Sequence, residues 1–517
     1  MTAASAHSRS TGAIATSHYA ATEAGARILE HGGTAVDAAI AAAAMLCVVY
    51  QNNVAVGGDL VALVRDPAGR TRFVNATGRA ASAETLDDLR QRHGEAMPWR
   101  GVDTITVPGG VRGWKSLAAI GGTRDWAQLL GPARDAAANG HPVPKSVARA
   151  IVDERHALEA FTGWADTYLP AGVPLDEGQT LRLPALAETL DRLISGGPDA
   201  FYSGELAERW VTALRELGSR ISVEDAAAFA PTIDDPIRRT LFGHDVITSP
   251  PNTQGFALLR VLGEIERSGL ADPLGWDAGA VATLFRAANR VRSLGLADPE
   301  IGIGADELIA MPDPGPTGTG APNAMGDTVG LVVVSDGWAV SLVQSVFESF
   351  GSGVLDPGTG ILFQNRGTAF SLDPASISRF QGGLRPPHTL MPVLIERDRE
   401  LAAAVATMGG QAQAQIHTQL FLRLLEGRTA LEATSLPRWV VGRQDLPDTV
   451  DSVTIEADVD RAAADSLAES PLTPRTVHPR WELMGHSNVV RVTDDGLDAA
   501  SDPRSDGSAR MVAAATS

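Results

Sequence analysis

The stretch from Thr328 to Phe347 constrains this chain more than any other. Two runs rich in β-branched residues, Thr328-Val-Gly-Leu-Val-Val-Val-Ser and Trp338-Ala-Val-Ser-Leu-Val-Gln-Ser-Val-Phe, flank Asp336-Gly337. That dipeptide favours a two-residue type I′ turn, so the segment reads as a β-hairpin. The first run is almost continuously apolar, as a strand buried on both faces must be. With Asp336 and Gly337 as the loop, Ser335 pairs with Trp338. Counting back along the ladder sets Thr328 opposite Ser345, with both hydroxyls on one face of the sheet. A Thr–Ser pair inside a sheet is the plain meaning of this register. A nucleophile beside an orienting hydroxyl is the chemical one.

What precedes the hairpin sharpens the choice. Residues 300–327 are polar and rich in Pro and Gly, including Met311-Pro-Asp-Pro-Gly-Pro-Thr-Gly-Thr-Gly. No packed element is expected there, and exposed linkers tolerate cleavage. A Thr hydroxyl is a poor nucleophile until a base takes its proton. At a chain terminus the residue's own α-amino group can be that base, with an unperturbed pKa near ~8. A linker that ends in Gly326-Asp327 and runs straight into a strand at Thr328 meets this requirement.

Elsewhere the pattern mixes helices and strands. Residues 19–49 have helical apolar spacing interrupted at Gly32-Gly33, Leu60–Val64 and Thr71–Asn75 flank a turn, and 123–220 read as mainly helical. Asp245–Thr248 reads as a strand, followed by a Pro250-Pro251 loop and a helix over Phe256–Ile265. The formal net charge of −19, with Lys115 and Lys145 the only lysines, excludes a basic face for nucleic acid or for an anionic membrane. Cys47 is the sole cysteine, so no intramolecular disulfide can form, and its apolar neighbours mark a buried residue. The 11 histidines show no metal-ligand spacing, and neither a metal nor a cofactor is expected. No apolar run is long enough to span a membrane, and the first ten residues lack the charged and apolar segments of a signal peptide, so the expected location is cytoplasmic. Gln413 and His417 read as packing or capping residues. Asp494–Asp498, Asp502-Pro-Arg and Asp506-Gly read as a solvated, turn-rich segment.

Short motifs recur in a fixed order from end to end. They are Ala24-Gly25, Gly32-Gly33, Ala35-Val36-Asp37-Ala38-Ala39, Gly57-Gly58-Asp59, Val107-Pro108-Gly109 and Phe201-Tyr202-Ser203-Gly204. Ser249-Pro-Pro-Asn-Thr-Gln-Gly255, Gly326-Asp327-Thr328, Phe350-Gly-Ser-Gly353, Arg385-Pro-Pro-His-Thr-Leu-Met-Pro392, Met408-Gly409-Gly410 and Ser501-Asp-Pro-Arg-Ser-Asp-Gly507 follow. In this order and spacing the chain resembles the γ-glutamyltransferase family of N-terminal-nucleophile hydrolases. The resemblance implies an α+β fold, the αββα sandwich. It implies self-cleavage between Asp327 and Thr328 into a large subunit, 1–327, and a small subunit, 328–517, that share one core as an αβ heterodimer or a pair of them. It implies that Thr328 forms an acyl-enzyme, that Ser345 hydrogen-bonds it, and that Gly409 and Gly410 offer backbone N–H groups to the oxyanion. His388 and Thr389 stand where many relatives carry a Ser pair beside the acyl group.

The departures from the family pattern are informative. The Arg expected after the early hairpin is Thr77, with Arg79 nearby as a substitute. Phe347 replaces a usual Asn. In Asn365-Arg366-Gly-Thr-Ala369, Arg366 stands at an amide position and Ala369 at that of an acid. Val329 and Gly330 replace a Thr and a His or Tyr. Without the acid, a substrate ammonium lacks its charge partner. Arg366 favours an anion. The pattern is most similar to the acylase and amidohydrolase branch of the family. Three readings follow. The first is an autoprocessed amidohydrolase whose acyl group is acidic or small and lacks a free α-amine. The second is a γ-glutamyl hydrolase or transferase acting on glutathione-like compounds, which a glutathione assay distinguishes. The third is an unprocessed, non-catalytic binding protein. The expected partners are a small amide or γ-glutamyl substrate and the chain's own second subunit.

Overall fold

Asp336 and Gly337 both adopt positive φ, 49° and 80°, as a type I′ turn requires. They join strands at Asp327–Ser335 and Trp338–Phe347. The structure is a computed structural model that describes residues 10–315, 327–445 and 448–513. In chain order the strands of its two large sheets are Ser10–Thr16 (β1), Asp59–Arg65 (β2), Thr71–Ala76 (β3), Thr232–Asp234 (β4), Ile237–Leu241 (β5), His244–Thr248 (β6), Asp327–Ser335 (β7), Trp338–Phe347 (β8), Val393–Arg397 (β9), Glu400–Thr407 (β10), Ser487–Thr493 (β11), Gly496–Ser501 (β12) and Ser508–Ala513 (β13). One sheet has the order β13-β1-β7-β8-β2-β3-β4 and the other β12-β11-β10-β9-β6-β5. The hairpin therefore occupies the middle of its sheet.

The sheets pack face to face. Val61, Leu63, Val332, Val334 and Val343 of the first meet Ile247, Leu394, Ala404, Ala406 and Val490 of the second. Leu331 and Val333 point the other way, into helices α1 (Tyr19–Glu30) and α2 (Ala35–Val49). Val246, Val393, Val405 and Val489 point away from the interface, into α3 (Gly255–Ser268), α4 (Ala278–Gly295) and α5 (Gln413–Leu425). Strand side chains alternate in direction. The unbroken apolar run of β7 thus reflects burial on both faces, and the layers form the αββα sandwich. The α1–α2 break falls at Gly32-Gly33, where Gly32 has φ 76°. The Thr34–Asp37 capping box then starts α2, which is buried along its whole length. No helix among the described residues is long and apolar enough to cross a membrane.

Two expectations need correction. Part of the 300–327 linker is structured, since Ala305–Ala310 forms a short helix with Leu308 buried. Residues 316–326 lie outside the described residues. The C-terminal segment is not uniformly solvated either. Asp502 and Arg504 are buried, and their charges are absorbed by Arg438 and Glu456, which sit on segments distant in sequence.

Candidate active site

Thr328 is the second residue of β7 and is fully buried. The hairpin keeps the expected register from Ser335–Trp338 to Val329–Gln344, then slips so that Phe347 faces Asp327. The extra residue in β8 makes a bulge, a device that re-aims side chains at the end of a ladder. Here it brings Ser345 and Thr328 together, and Thr328 Oγ1 donates to Ser345 Oγ at 3.1 Å. Ser345 Oγ also accepts the Phe347 N–H at 2.7 Å. Asn53, just past α2, braces the bulge. Its Nδ2 donates to the Thr328 carbonyl at 3.3 Å, and its own carbonyl accepts the Val346 N–H at 3.0 Å.

Gly330 explains how the second sheet reaches this point. A Cβ there would lie 2.8 Å from both Ala406 C and Thr407 N, so only glycine allows β7 to approach β10 so closely. Just beyond β10 comes the Gly409-Gly410 turn, with φ values of 146° and 50°. Among the described residues, neither glycine donates its N–H to a protein acceptor. Gln254 ties this turn to the next loop, because its Nε2 donates to Gly410 O at 2.8 Å and to Thr389 O at 2.6 Å. Gln413 and His417 hold the same loop from α5. Gln413 Oε1 accepts the Met391 N–H at 3.1 Å, and His417 Nε2 lies 3.3 Å from Met391 O.

The loop presents His388 and Thr389. Thr389 Oγ1 accepts from Arg366 Nη2 at 3.1 Å. The Arg366 guanidinium stacks on the Phe347 ring, 3.6 Å from its centroid, and Phe347 takes φ 82° at the end of the bulge. Left-handed backbone at a bulky residue is costly; here it coincides with the Arg366 stack. Burial pushes Arg366 down to about 9, opposed by Asp59 and Glu348. His388 Nδ1 accepts the Leu390 N–H at 3.3 Å, so its proton sits on Nε2, 3.2 Å from Asp59 Oδ2. Burial, with Arg366 adding to it, holds His388 well below its ordinary pKa. Asp59 lies across the ladder from Ser345 and also accepts from the N–H groups of Gly78 and Gly109. Burial pushes its carboxyl up to about 7.

Beside these groups lies a pocket whose lining includes Phe347, Arg366, Ala369 and Thr389 together with Trp99 and Arg292. Arg79 is not in this wall. Its Nη1 donates to Glu300 Oε1 at 2.9 Å and to Gly383 O at 2.8 Å. The structure thus groups Arg366, Thr389 and Phe347 around the pocket, with His388 behind it, and leaves Arg79 engaged elsewhere. The sequence reading missed Asp59 as a partner of His388, and it missed Arg292 altogether. Asp59 had its signal in the Gly57-Gly58-Asp59 motif. Arg292 had a subtler one, since it follows Phe285 and Ala288 at the spacing of the buried stripe of its helix.

Comparison with known proteins agrees with this geometry. The gamma-glutamyltranspeptidase family profile matches residues 21–512. An oxamate amidohydrolase proenzyme of Klebsiella pneumoniae is 34% identical over 516 residues, covering 95% of this chain and 97% of that protein. The glutathione hydrolase-like YwrD proenzyme of Bacillus subtilis is 32% identical over 520 residues, covering 96% and 97%. The crystal structure of a cephalosporin acylase from Bacillus halodurans superposes with a TM-score of 0.88 at 28% identity, over 97% of this chain and 96% of that one. The chain belongs to the gamma-glutamyltranspeptidase family, and it is an enzyme of that family.

Proposed function

We propose that the chain is an autoprocessed N-terminal-threonine amidohydrolase that cleaves an amide whose acyl group bears a carboxylate and no free α-amine. The observation that carries this reading is the Thr328 Oγ1–Ser345 Oγ hydrogen bond of 3.1 Å, at the start of a central strand that follows directly on the linker. In maturation the Thr328 oxygen attacks the Asp327 carbonyl carbon. The C–N bond breaks, the nitrogen takes the hydroxyl proton, and an ester links Asp327 to Thr328. Water hydrolyses that ester, leaving an Asp327 carboxylate on residues 1–327 and a free amine on residues 328–517.

In turnover the new α-amine takes the Thr328 hydroxyl proton as the oxygen attacks the substrate amide. It then returns the proton to the leaving amine. Ser345 orients the nucleophile. The N–H groups of Gly409 and Gly410 receive the developing oxyanion, and losing one such donor typically costs ~10²–10³ in rate. Water, or an acceptor amine, releases the acyl group. Arg366 and Thr389 bind the acyl carboxylate, with His388 and Phe347 fixing their positions. An oxamate amidohydrolase among the relatives supports this reading, because oxamate has a carboxylate on the scissile carbonyl and no amine on its acyl group. The glutathione hydrolase-like relative keeps a γ-glutamyl substrate as the second reading. Ala369, standing where the acid would be, weighs against it.

Intact mass spectrometry of wild type and Thr328→Ala tests the proposal, followed by turnover of oxamate and of glutathione. Two chains, 1–327 and 328–517, are expected from wild type, one uncut chain from the variant, and activity on the acidic amide. A wild-type chain that stays uncut through long incubation would return the protein to the non-catalytic reading. Cleavage with turnover of glutathione alone would establish the nucleophile and discard the acyl group.

A further inference from the structure

Arg292 stands in the last turn of α4, where a cation complements the helix dipole. It continues the spacing of Phe285 and Ala288, is half-buried, and its side chain forms part of the pocket wall that also contains Arg366. The Nε atoms of both arginines are buried with no hydrogen-bond partner. No Asp or Glu belongs to that wall. Burial pushes Arg292 down to about 10, and its charge in turn helps to lower Arg366. Asp59 and Glu348 act on Arg366 from outside the wall, but two guanidiniums lining one pocket with no carboxylate among its lining residues are still a costly arrangement. An anion between them removes that cost. Each guanidinium presents a planar fork of donors suited to a carboxylate, and the Thr389 hydroxyl, which accepts from Arg366, has its proton to offer the same group.

The rest of the pocket limits what the carboxylate is attached to. Phe347, which faces Asp327 across the ladder, links the pocket to the strand ends that carry Thr328 and Ser345. Trp99, Leu296 and Pro387 give it an apolar lining, which accepts a short methylene chain, and the wall sets no carboxylate against a substrate ammonium.

We infer that Arg292 and Arg366 form a two-guanidinium clamp for one carboxylate, and that the substrates are monoamides of short dicarboxylic acids held by their free acid end. This rests on Thr328 being the acylated nucleophile. The clamp makes Arg292 a specificity residue contributed by the large subunit to a site whose nucleophile belongs to the small one.

The test uses processed wild type, Arg292→Gln, Arg292→Lys and Arg366→Gln, each first shown by mass spectrometry to be cleaved after Asp327. Hydrolysis of the monoamides of oxalic, malonic, succinic and glutaric acids is compared with that of their methyl esters, which keep the chain and lose the charge. Wild type should prefer one of the acids over its ester. Arg292→Gln should raise KM for that acid about 10- to 100-fold, the range of one charge-assisted hydrogen bond, with kcat changed far less and the ester unaffected. Arg292→Lys, which keeps the charge and loses the fork, should fall between. Should Arg292→Gln fail to fold or mature, Arg292→Lys carries the same comparison. If the Arg292 variants keep the wild-type preference while Arg366→Gln loses it, the clamp is wrong and the acidic acyl group stands. If processed wild type hydrolyses none of the four acids, the acyl reading and the clamp fall together.

Discussion

The protein buries arginines in two places and treats them in opposite ways. Near the C-terminus, Arg438 and Arg504 are fully buried, and each has a carboxylate. Arg438 donates to Asp502 Oδ2. Arg504 donates to Asp502 Oδ1 at 3.0 Å and to Glu456 Oε1 at 2.8 Å. Further donors are spent on backbone oxygens, such as Gly485 O at 2.7 Å and Thr434 O at 3.0 Å. Two cations face two anions, and nearly every donor has an acceptor. Around the pocket, Arg366 rests on a phenyl ring and a Thr hydroxyl, and Arg292 has no hydrogen-bonded acceptor at its Nε. The aspartates report the same contrast. Burial raises both, but Arg438 and Arg504 outweigh it at Asp502, which ends below the ordinary carboxylate range, while Asp59 ends at about 7. A buried charge with its partners built in pins segments together. The pair around the pocket, in the clamp proposed above, is arranged for a ligand.

The largest effect should come from breaking the closed cluster. Asp502→Asn keeps the shape and strands two guanidiniums beside Glu456 alone. Removing one partner from a buried ion network typically costs about 3–5 kcal/mol, and chemical denaturation should show a loss of that order. The counterpart in the open cluster, Arg366→Gln, removes a cation that has no carboxylate bonded to it, and should leave unfolding within about 1 kcal/mol of wild type. Equal losses in the two variants would erase the distinction.

The next test gives the open cluster the anion it lacks. Ala369→Asp adds a carboxylate to the same wall as Arg292 and Arg366. It competes with the substrate for the guanidiniums and offers a partner to a substrate ammonium. Hydrolysis of acidic monoamides should fall about 10- to 30-fold in kcat/KM, as for loss of one ionic contact, while glutathione turnover rises. An unchanged ratio between the two substrates would mean that the wall does not choose the acyl group.

These clusters were unequally legible in the sequence. The hairpin was read to the residue because Asp336-Gly337 has one favoured turn, and a two-residue loop leaves no freedom in register. What local pattern could not supply was the slip after Gln344, which depends on how the strand ends against Asn53. Arg366 was found because it departs from a motif. Arg292 was not, because its place on the stripe of Phe285 and Ala288 marks only a helix face and no chemistry; α4 must dock against the pocket before its last turn matters. Asp502 and Arg504 lie among acidic, glycine-rich residues, and only the distant segments that carry Arg438 and Glu456 to them turn a solvated composition into a buried network. Arg79 shows the converse error, since proximity in sequence to a missing arginine did not bring its side chain to the pocket.

The smallest effect belongs to Asp59, which lies between the two regimes. It accepts from two backbone N–H groups and from His388, but burial still holds its carboxyl near 7 against an ordinary 3.8. The folded chain therefore binds this proton more tightly than the unfolded chain between those values, and stability falls as pH rises through that window. A single group contributes at most about 1.4 kcal/mol per pH unit, and the effect levels off above the folded pKa. Between pH 6 and 8 the loss should total about 1.4 kcal/mol. His388 stays neutral over this range, because its pKa is pushed well below its ordinary value. Asp59→Asn removes the titrating group, so its unfolding free energy should lack this pH-dependent loss. The expected result is that wild type gains on the variant as the pH falls from 8 to 6. Parallel curves would mean that Asp59 is already ionised throughout, and that Arg366 has a built-in counter-charge after all.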